Sequence, residues 1–443
     1  MRSASLSTRV APAPALAPGV RAREAWAWAM FDFANSGYTT VVITAIFNAY
    51  FVSVIAGNAV WATFAWTAAL GVSYVFIILT APAIGAYADA RACKKRILAA
   101  TTAGCIVFTA ALAGAGPGDV ALAVTLLIAS NYCFGSGENV VAAFLPEIAR
   151  SEHLGRVSGW GWGLGYLGGM ATLALCLAHV GAQQARGASA QDYVPGTLLI
   201  TAAMFLAASV PTFLFLEERA KPLAHAHGAL RESFRRLRRT LAEARRFRDL
   251  ARFLVCIVCY QAGVQAVITL AAVYAEQVMG FSTAQTIVLV LVVNIAAALG
   301  ALLFGYAQDR IGHKPAIALT LLGWIGTTVL AAAAETALMF WVAANIAGAC
   351  LGSSQSAGRA LVGFLSPEDR HGEFFGLWGL SVKLSSILGP VTYGLIVWVT
   401  GGEHRLAFAL TGIYFALGLG LLAGVDVGRG REAAVNGTDP GSM

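Results

Sequence analysis

Four ionisable side chains lie inside long apolar runs of this 443-residue chain: Asp32, Glu138, Arg359 and Lys383. A charge at the centre of a membrane helix costs at least about 2.5–3.5 kcal/mol on insertion scales, so each demands a compensating role. Two are acids and two are bases. A planar guanidinium forks onto a carboxylate, and an anion holds an ammonium group. Neutral polar residues share the same runs. Asn35 follows Asp32 on one helix face, Asn131 precedes Glu138 by two turns, and Asn139 is its neighbour. Asn345 and Gln355 share a stripe with Arg359, and Gln261 and Gln265 stand one turn apart. Two roles are open to these neutral groups: lining a cavity and hydrogen bonding between helices.

The elements that carry them are membrane helices. The chain is 58% hydrophobic and only 12% charged, with mean hydropathy +0.70. A soluble chain carries about a quarter charged residues. A spanning helix needs roughly 20 apolar residues. Runs of that kind begin near Trp26, Trp61, Arg96, Val120, Arg156, Pro195, Arg252, Ala284, His313, Thr336, Gly372 and His404. The expected fold class is therefore all-α, with about twelve transmembrane helices. Nearly all seven cysteines fall inside these runs. Cys256 and Cys259 form a lone CxxC, and a zinc site needs a second ligand pair, so both are read as packing residues. No metal or other cofactor is expected. Trp26, Trp28, Trp61, Trp341 and Trp398 fall near run ends and read as interface anchors.

Basic residues collect at every second loop. They are Arg21 and Arg23, then Arg91, Lys94, Lys95 and Arg96, then Arg150 and Arg156. Arg310 and Lys314, Arg370, and Arg429 and Arg431 follow, whereas the opposite loops hold only Arg186 and Arg405. Placement of this kind obeys the positive-inside rule and puts both termini in the cytoplasm. It also accounts for the net charge of +7 without nucleic acid. The polar segment 217–250, rich in arginine, is expected to be a basic linker with an amphipathic helix near anionic headgroups. Five parts result: a disordered tail over 1–24, a six-helix bundle over 25–216, the linker, a second bundle over 251–427, and a tail over 428–443.

Two segments repeat. Gly85-Ala-Tyr-Ala-Asp89, followed by Arg91, echoes Gly305-Tyr-Ala-Gln-Asp309-Arg310-Ile-Gly312-His-Lys314, at an offset of 305 minus 85, or 220. Phe144-Leu-Pro-Glu147 echoes Phe364-Leu-Ser-Pro-Glu368, with 368 minus 147, or 221, between the glutamates. The halves are expected to be parallel repeats. The second loop matches GxxxDRxGxK in full and resembles the signature loop of the major facilitator superfamily. The first is degenerate, with Ala90 and Ala92 at the basic and glycine positions. Trp28-Ala-Met-Phe-Asp32-Phe-Ala-Asn35-Ser36, Gln355-Ser-Ala-Gly-Arg359 and Glu373-Phe-Phe-Gly376 with Lys383 and Leu388-Gly389-Pro390 narrow the match. So do Gly155-Arg-Val-Ser-Gly159 and Gly165-Tyr-Leu-Gly168-Gly169. These resemble the branch that holds the vacuolar amino-acid effluxers linked to autophagy and their bacterial relatives.

The resemblance implies a gate and a cavity. Asp89 is expected to face the start of the eleventh span near Gly372, and Asp309 the fifth near Gly155. A carboxylate at a helix N-terminus is favoured by about 0.3–2 kcal/mol. Fixing topology is the alternative role for both loops. In this fold the first, fourth, seventh and tenth spans line a central cavity. Glu138 maps onto Arg359 at the repeat offset, since 359 minus 138 is 221. The two are expected to pair across the cavity, to grip the ends of a zwitterion, or each to pair within its own half. Asp32 either titrates with proton movement or stays a solvated helix-start carboxylate; Lys383 snorkels or pairs with Asp32.

The chain has no GxxxxGK[ST] loop, so a gradient rather than ATP is the expected energy source. The expectation is a secondary transporter of a small polar solute, amino acids first, proton-coupled and monomeric in a bacterial inner membrane. A drug, sugar or metabolite exporter of the same fold is the nearest alternative. A membrane enzyme on lipid carriers and a transporter-derived sensor are others. No enzyme is expected, because the seven histidines scatter over loops and span ends.

Overall fold

The computed structural model describes residues 15–220 and 247–436. Of the expected linker over 217–250, residues 221–246, with Arg231 to Arg246, lie outside the described residues, whereas Arg248 and Asp249 open a membrane helix. Among the described residues, twelve helices are long and apolar enough to cross a membrane. They are α1 (Ala22–Tyr38), α2 (Ala62–Arg91), α3 (Lys94–Ala111), α4 (Val120–Ala142), α5 (Leu154–Gln184) and α6 (Ala190–Phe215). After the linker come α7 (Arg248–Gln277), α8 (Thr283–Ile311), α9 (His313–Ala332), α10 (Ala337–Leu365), α11 (His371–Val399) and α12 (His404–Ala423). A short amphipathic helix, α13 (Val427–Asn436), ends the described chain. Hydrocarbon supplies no hydrogen bonds, so each apolar run satisfies its own backbone by coiling. Past Tyr38, α1 continues through wider π-helical turns over Thr39–Ala45 and Phe51–Ile55. Leu79, Leu303 and Trp398 are exposed on the outside, a surface that a bilayer solvates.

The six helices on each side of the linker form separate cores. The halves meet where α5 packs on α8 and α10, and where α11 packs on α2 and α4. Glycine permits the tightest crossings. A Cβ on Gly305 would stand 2.7 Å from the Gly155 carbonyl oxygen. Gly85 and Gly372 touch backbone to backbone in the same way.

Both termini of the helical region lie at one end, and the bonding between halves gathers there. Among the described residues, every hydrogen bond between the halves lies between that end and roughly mid-membrane. Toward the opposite end, α1 to α6 and α7 to α12 share none.

Two expected tails have structure. Residues 15–20 are bound rather than free: Ala17 N–H donates to Ile148 O at 3.0 Å and Arg150 N–H to Ala15 O at 3.1 Å. The tail beyond 427 forms α13 because it has a docking site. Arg429 donates from Nε and Nη2 to the Asp249 carboxylate at 2.7 and 2.8 Å. Gly430 and Ala434 are buried beneath it. The second echo also shifts: α5 starts at Leu154 and α11 at His371, 217 residues apart, so Glu147 and Glu368 are not structural equivalents.

Candidate transport site and gate

Asp32 lies ten residues into α1 and Arg359 six residues before the end of α10. Their side chains meet between the halves. Arg359 Nη1 donates to Asp32 Oδ2 at 2.7 Å. The same guanidinium donates from Nε to Ser158 Oγ at 3.1 Å and from Nη2 to Ser158 O at 2.9 Å. Ser158 Oγ–H donates to Ser356 O at 2.8 Å. Trp28 and Trp162 flank the guanidinium, with ring centroids 4.7 and 5.3 Å from its carbon. The pair packs against Gly161, where a Cβ would fall on the Asp32 carboxylate and 2.6 Å from Arg359 Nη2. One cation thus ties α1 and α5 of the first half to α10 of the second.

A second pair lies beside it. Lys383 Nζ on α11 donates to Glu138 Oε2 on α4 at 3.1 Å. The ammonium also stands 5.5 Å from the Phe134 ring and 5.7 Å from the Tyr74 ring. The Glu138 and Lys383 side chains retain 22% and 9% of their exposure, against 12% and 3% for Asp32 and Arg359. The Glu138–Lys383 pair is therefore the outer, wetter one, and Asp32–Arg359 the inner, drier one.

These pairings correct two expectations. Glu138 does not pair with Arg359, nor Asp32 with Lys383. The repeat offset makes Glu138 and Arg359 equivalent positions, and equivalent positions need not be neighbours. Arg359 faces α1 and α5, while Glu138 faces α11. The neutral groups also divide. Asn131 Nδ2 donates to Ser73 Oγ at 2.6 Å and is consumed within its own half. Asn345 donates to its own helix at Trp341 O. Gln261 Nε2 donates to Gln355 Oε1 at 2.6 Å, joining α7 to α10. Gln265 is half-buried one turn further along α7. The Asn35 carbonyl oxygen and both amide atoms of Asn139 are buried without a partner, and Asn139 lies flat on Gly379 of α11.

Below both pairs is the gate. Asp89 Oδ1 accepts from Gly372 N–H at 3.0 Å and Oδ2 from Glu373 N–H at 2.9 Å, at the start of α11. Asp309 Oδ1 accepts from Arg156 N–H at 3.2 Å, at the start of α5. Lys94 stands 3.1 Å from Asp89 and 2.7 Å from Glu147, so the degenerate loop keeps a buried cation by another route. His153 and Arg156 serve Asp309 similarly at 3.3 and 3.4 Å. Arg91 and Arg310 are exposed. Gly312 turns the chain into α9 at φ +93°, and Lys314 holds the last carbonyls of α12.

Sequence reasoning missed Ser158, Trp162, Gly161, Tyr74 and Lys94 as site or gate residues. Trp28, expected at the membrane interface, is instead fully buried under Arg359 and donates to Val141 O at 2.8 Å. A tryptophan four residues before an intramembrane aspartate was the available signal.

Two interdigitated halves with charges paired across their seam form a transporter architecture, and comparison with known proteins agrees. Residues 62–435 match the family model described as vacuole effluxer Atg22 like. The chain belongs to this family. It is a major facilitator superfamily transporter of the Atg22 branch, and an integral multi-pass membrane protein. It is 28% identical over 403 residues to an uncharacterized MFS-type transporter, YxiO, of Bacillus subtilis, covering 89% of this chain and 93% of that one. It is 27% identical over 340 residues to autophagy-related protein 22-1 of Aspergillus fumigatus, covering 68% of this chain and 54% of the other. This chain thus spans about half the length of that fungal relative. Solved structures share the fold. The human organic anion transporter MFSD10 superposes with TM-score 0.71 at 15% identity, covering 90% of this chain and 99% of that one. The proton:xylose symporter XylE gives 0.69 at 14% identity, covering 90% and 94%.

Proposed function

We propose that the protein exports amino acids across a bacterial inner membrane by alternating access, driven by protons. The observation that carries this reading is the pair of ion contacts across the seam, Asp32–Arg359 and Glu138–Lys383. Each has its acid on the first half and its base on the second. Rocking the halves apart at the gated end must separate unlike charges. A buried pair that loses one partner costs about 3–5 kcal/mol. Substrate and proton are the means of lowering that barrier.

The outer pair suits a zwitterion. Lys383 offers an ammonium for a carboxylate, and Glu138 3.1 Å away offers a carboxylate for an amine. Binding exchanges one protein ion pair for two protein–ligand pairs. Tyr74 and Phe134 add apolar faces for a side chain. The inner pair suits coupling. As Arg359 leaves, Asp32 becomes a carboxylate without a counter-ion in a low-dielectric seam, where a proton neutralises it most cheaply. Basic residues at the gated end favour placing it in the cytoplasm. The arrangement seen here is then closed to the cytoplasm and faces outward. The YxiO relative favours a plasma membrane; the fungal relatives belong to a vacuolar family, and efflux is the direction their family description carries.

Purified protein in liposomes loaded with mixed amino acids tests the reading. Mass spectrometry should find selective efflux that rises with an imposed pH gradient and disappears in Glu138→Gln. Flux no greater than in empty vesicles, with folded protein, overturns the amino-acid assignment.

A further inference from the structure

A cleft of roughly 660 Å³ opens at the gated end of the second half, away from the transport seam. Its walls come from four places: the start of α7, the turn into α9, the end of α12 and the start of α13. Arg248, Arg252, Lys314 and Arg429 line it, against one acid, Asp426. Part of this charge has structural work. Lys314 Nζ donates to Ala423 O and Val425 O, both at 2.8 Å. Arg252 Nη1 donates to Gly424 O. These two cations satisfy carbonyls that the end of α12 leaves without partners.

That task does not account for the rest. Arg429 gives Nε and Nη2 to Asp249 and keeps Nη1 unused. Arg248 has no partner among the described residues, and Arg252 uses one of the five protons a guanidinium carries. Lys314 retains its third proton. The carbonyl and carboxylate bonds fix three of the four head groups in place, so unused donors converge on one cleft with little ordering left to do. A carboxylate has two acceptor oxygens, and a phosphate group has more. Basic pockets between membrane helices at the cytoplasmic surface suit phospholipid headgroups.

We propose that this cleft is a binding site for a phosphate group, presented by an anionic phospholipid of the surrounding leaflet. Its occupancy would tie α13 to α7, α9 and α12, stiffening the base of the second half. The site is independent of the transport assignment, because none of its side chains touches either seam pair.

The test uses the full chain in nanodiscs of phosphatidylcholine alone or with phosphatidylglycerol. Phosphatidylglycerol should raise Tm, and native mass spectrometry should retain bound phosphatidylglycerol. Arg248→Gln should lose much of that shift and Arg248→Glu nearly all of it. Both should keep the wild-type Tm in phosphatidylcholine, since Arg248 holds nothing else in place. Arg96→Glu, on the same membrane face of the first half, should keep the full shift. Millimolar inorganic phosphate in neutral detergent separates the sources. If it reproduces the shift, the site takes free phosphate as well; if only the lipid acts, the headgroup is the ligand. Absence of any phosphatidylglycerol effect overturns the proposal. So does an equal loss in Arg248→Glu and Arg96→Glu, which would mean diffuse surface attraction rather than a site.

Discussion

Arg359 makes three hydrogen bonds in three directions, to Asp32 Oδ2, Ser158 Oγ and Ser158 O. Only a guanidinium has that fork. Arg359→Lys should therefore behave as a loss rather than a conservative change. Transport is expected to fall by at least about tenfold, the equivalent of one charge-assisted hydrogen bond of roughly 1.4 kcal/mol or more. Uptake into vesicles, measured with equal amounts of folded protein, checks it; near-normal flux would show that point charge suffices. Gly161 is the same argument in steric form. Its hydrogen is the only atom that fits between Trp28 and the ion pair. Gly161→Ala should destabilise the closed seam by about 1–3 kcal/mol, the usual range for overpacking. A fall in Tm without loss of membrane insertion is the expected result. For the outer pair, a double-mutant cycle with Glu138→Gln and Lys383→Met should show coupling of about 0.5–3 kcal/mol in stability. Additivity within experimental error would mean that the two charges do not hold the seam.

At the scale of elements, the gate is two helix starts held by two carboxylates. Asp89 caps α11 with both oxygens and Asp309 caps α5 with one. Asp89→Asn keeps the shape and removes the charge, so it should loosen the gated end without unfolding the protein. The readout is a cysteine placed at Ser356, which lies behind the gate and bonds across the seam. Impermeant maleimide added from the gated side should label it faster in Asp89→Asn than in the parent, and unchanged labelling would remove Asp89 from gate closure. Elements of this kind were legible in sequence. An apolar run must coil, a Gly that starts a motif must allow contact, and charge asymmetry must orient loops. The pairing of side chains was not legible. An offset of 221 between Glu138 and Arg359 reports which positions are equivalent, and neighbours depend on how the halves are rotated against each other. Trp28 escapes sequence reading for the same reason: a tryptophan near a helix end reads as an anchor until its neighbour is known. Residues 15–17, which run beside Ala149, and α13 on Asp249 depend on backbone contacts that composition does not encode.

For the whole molecule, the two ion pairs lie side by side in one seam and differ in exposure, and the proposed function gives them different tasks. On that proposal the more exposed pair, Glu138 and Lys383, grips the solute. Opening the gated end also separates Asp32 from Arg359, which is the proposed coupling step. A coupling residue therefore has a distinct phenotype from a binding residue. Asp32→Asn keeps an oxygen that accepts from Arg359 Nη1, and Arg359 keeps Ser158 and both indoles, so the fold should persist. It removes the group that takes up a proton. Such a protein should still exchange labelled solute across a membrane with solute on both sides, because exchange needs only the rocking of a loaded seam. It should fail to build a gradient when a pH difference is imposed. Glu138→Gln, in contrast, should lose exchange and gradient-driven flux together, because it removes half of the solute's grip. Counterflow and pH-driven flux measured side by side in the same vesicles decide between these roles. If Asp32→Asn concentrates solute as well as the parent, the proton is carried elsewhere or the transporter is not proton-driven. If it abolishes counterflow too, the inner pair is part of the binding site, and the separation of tasks fails.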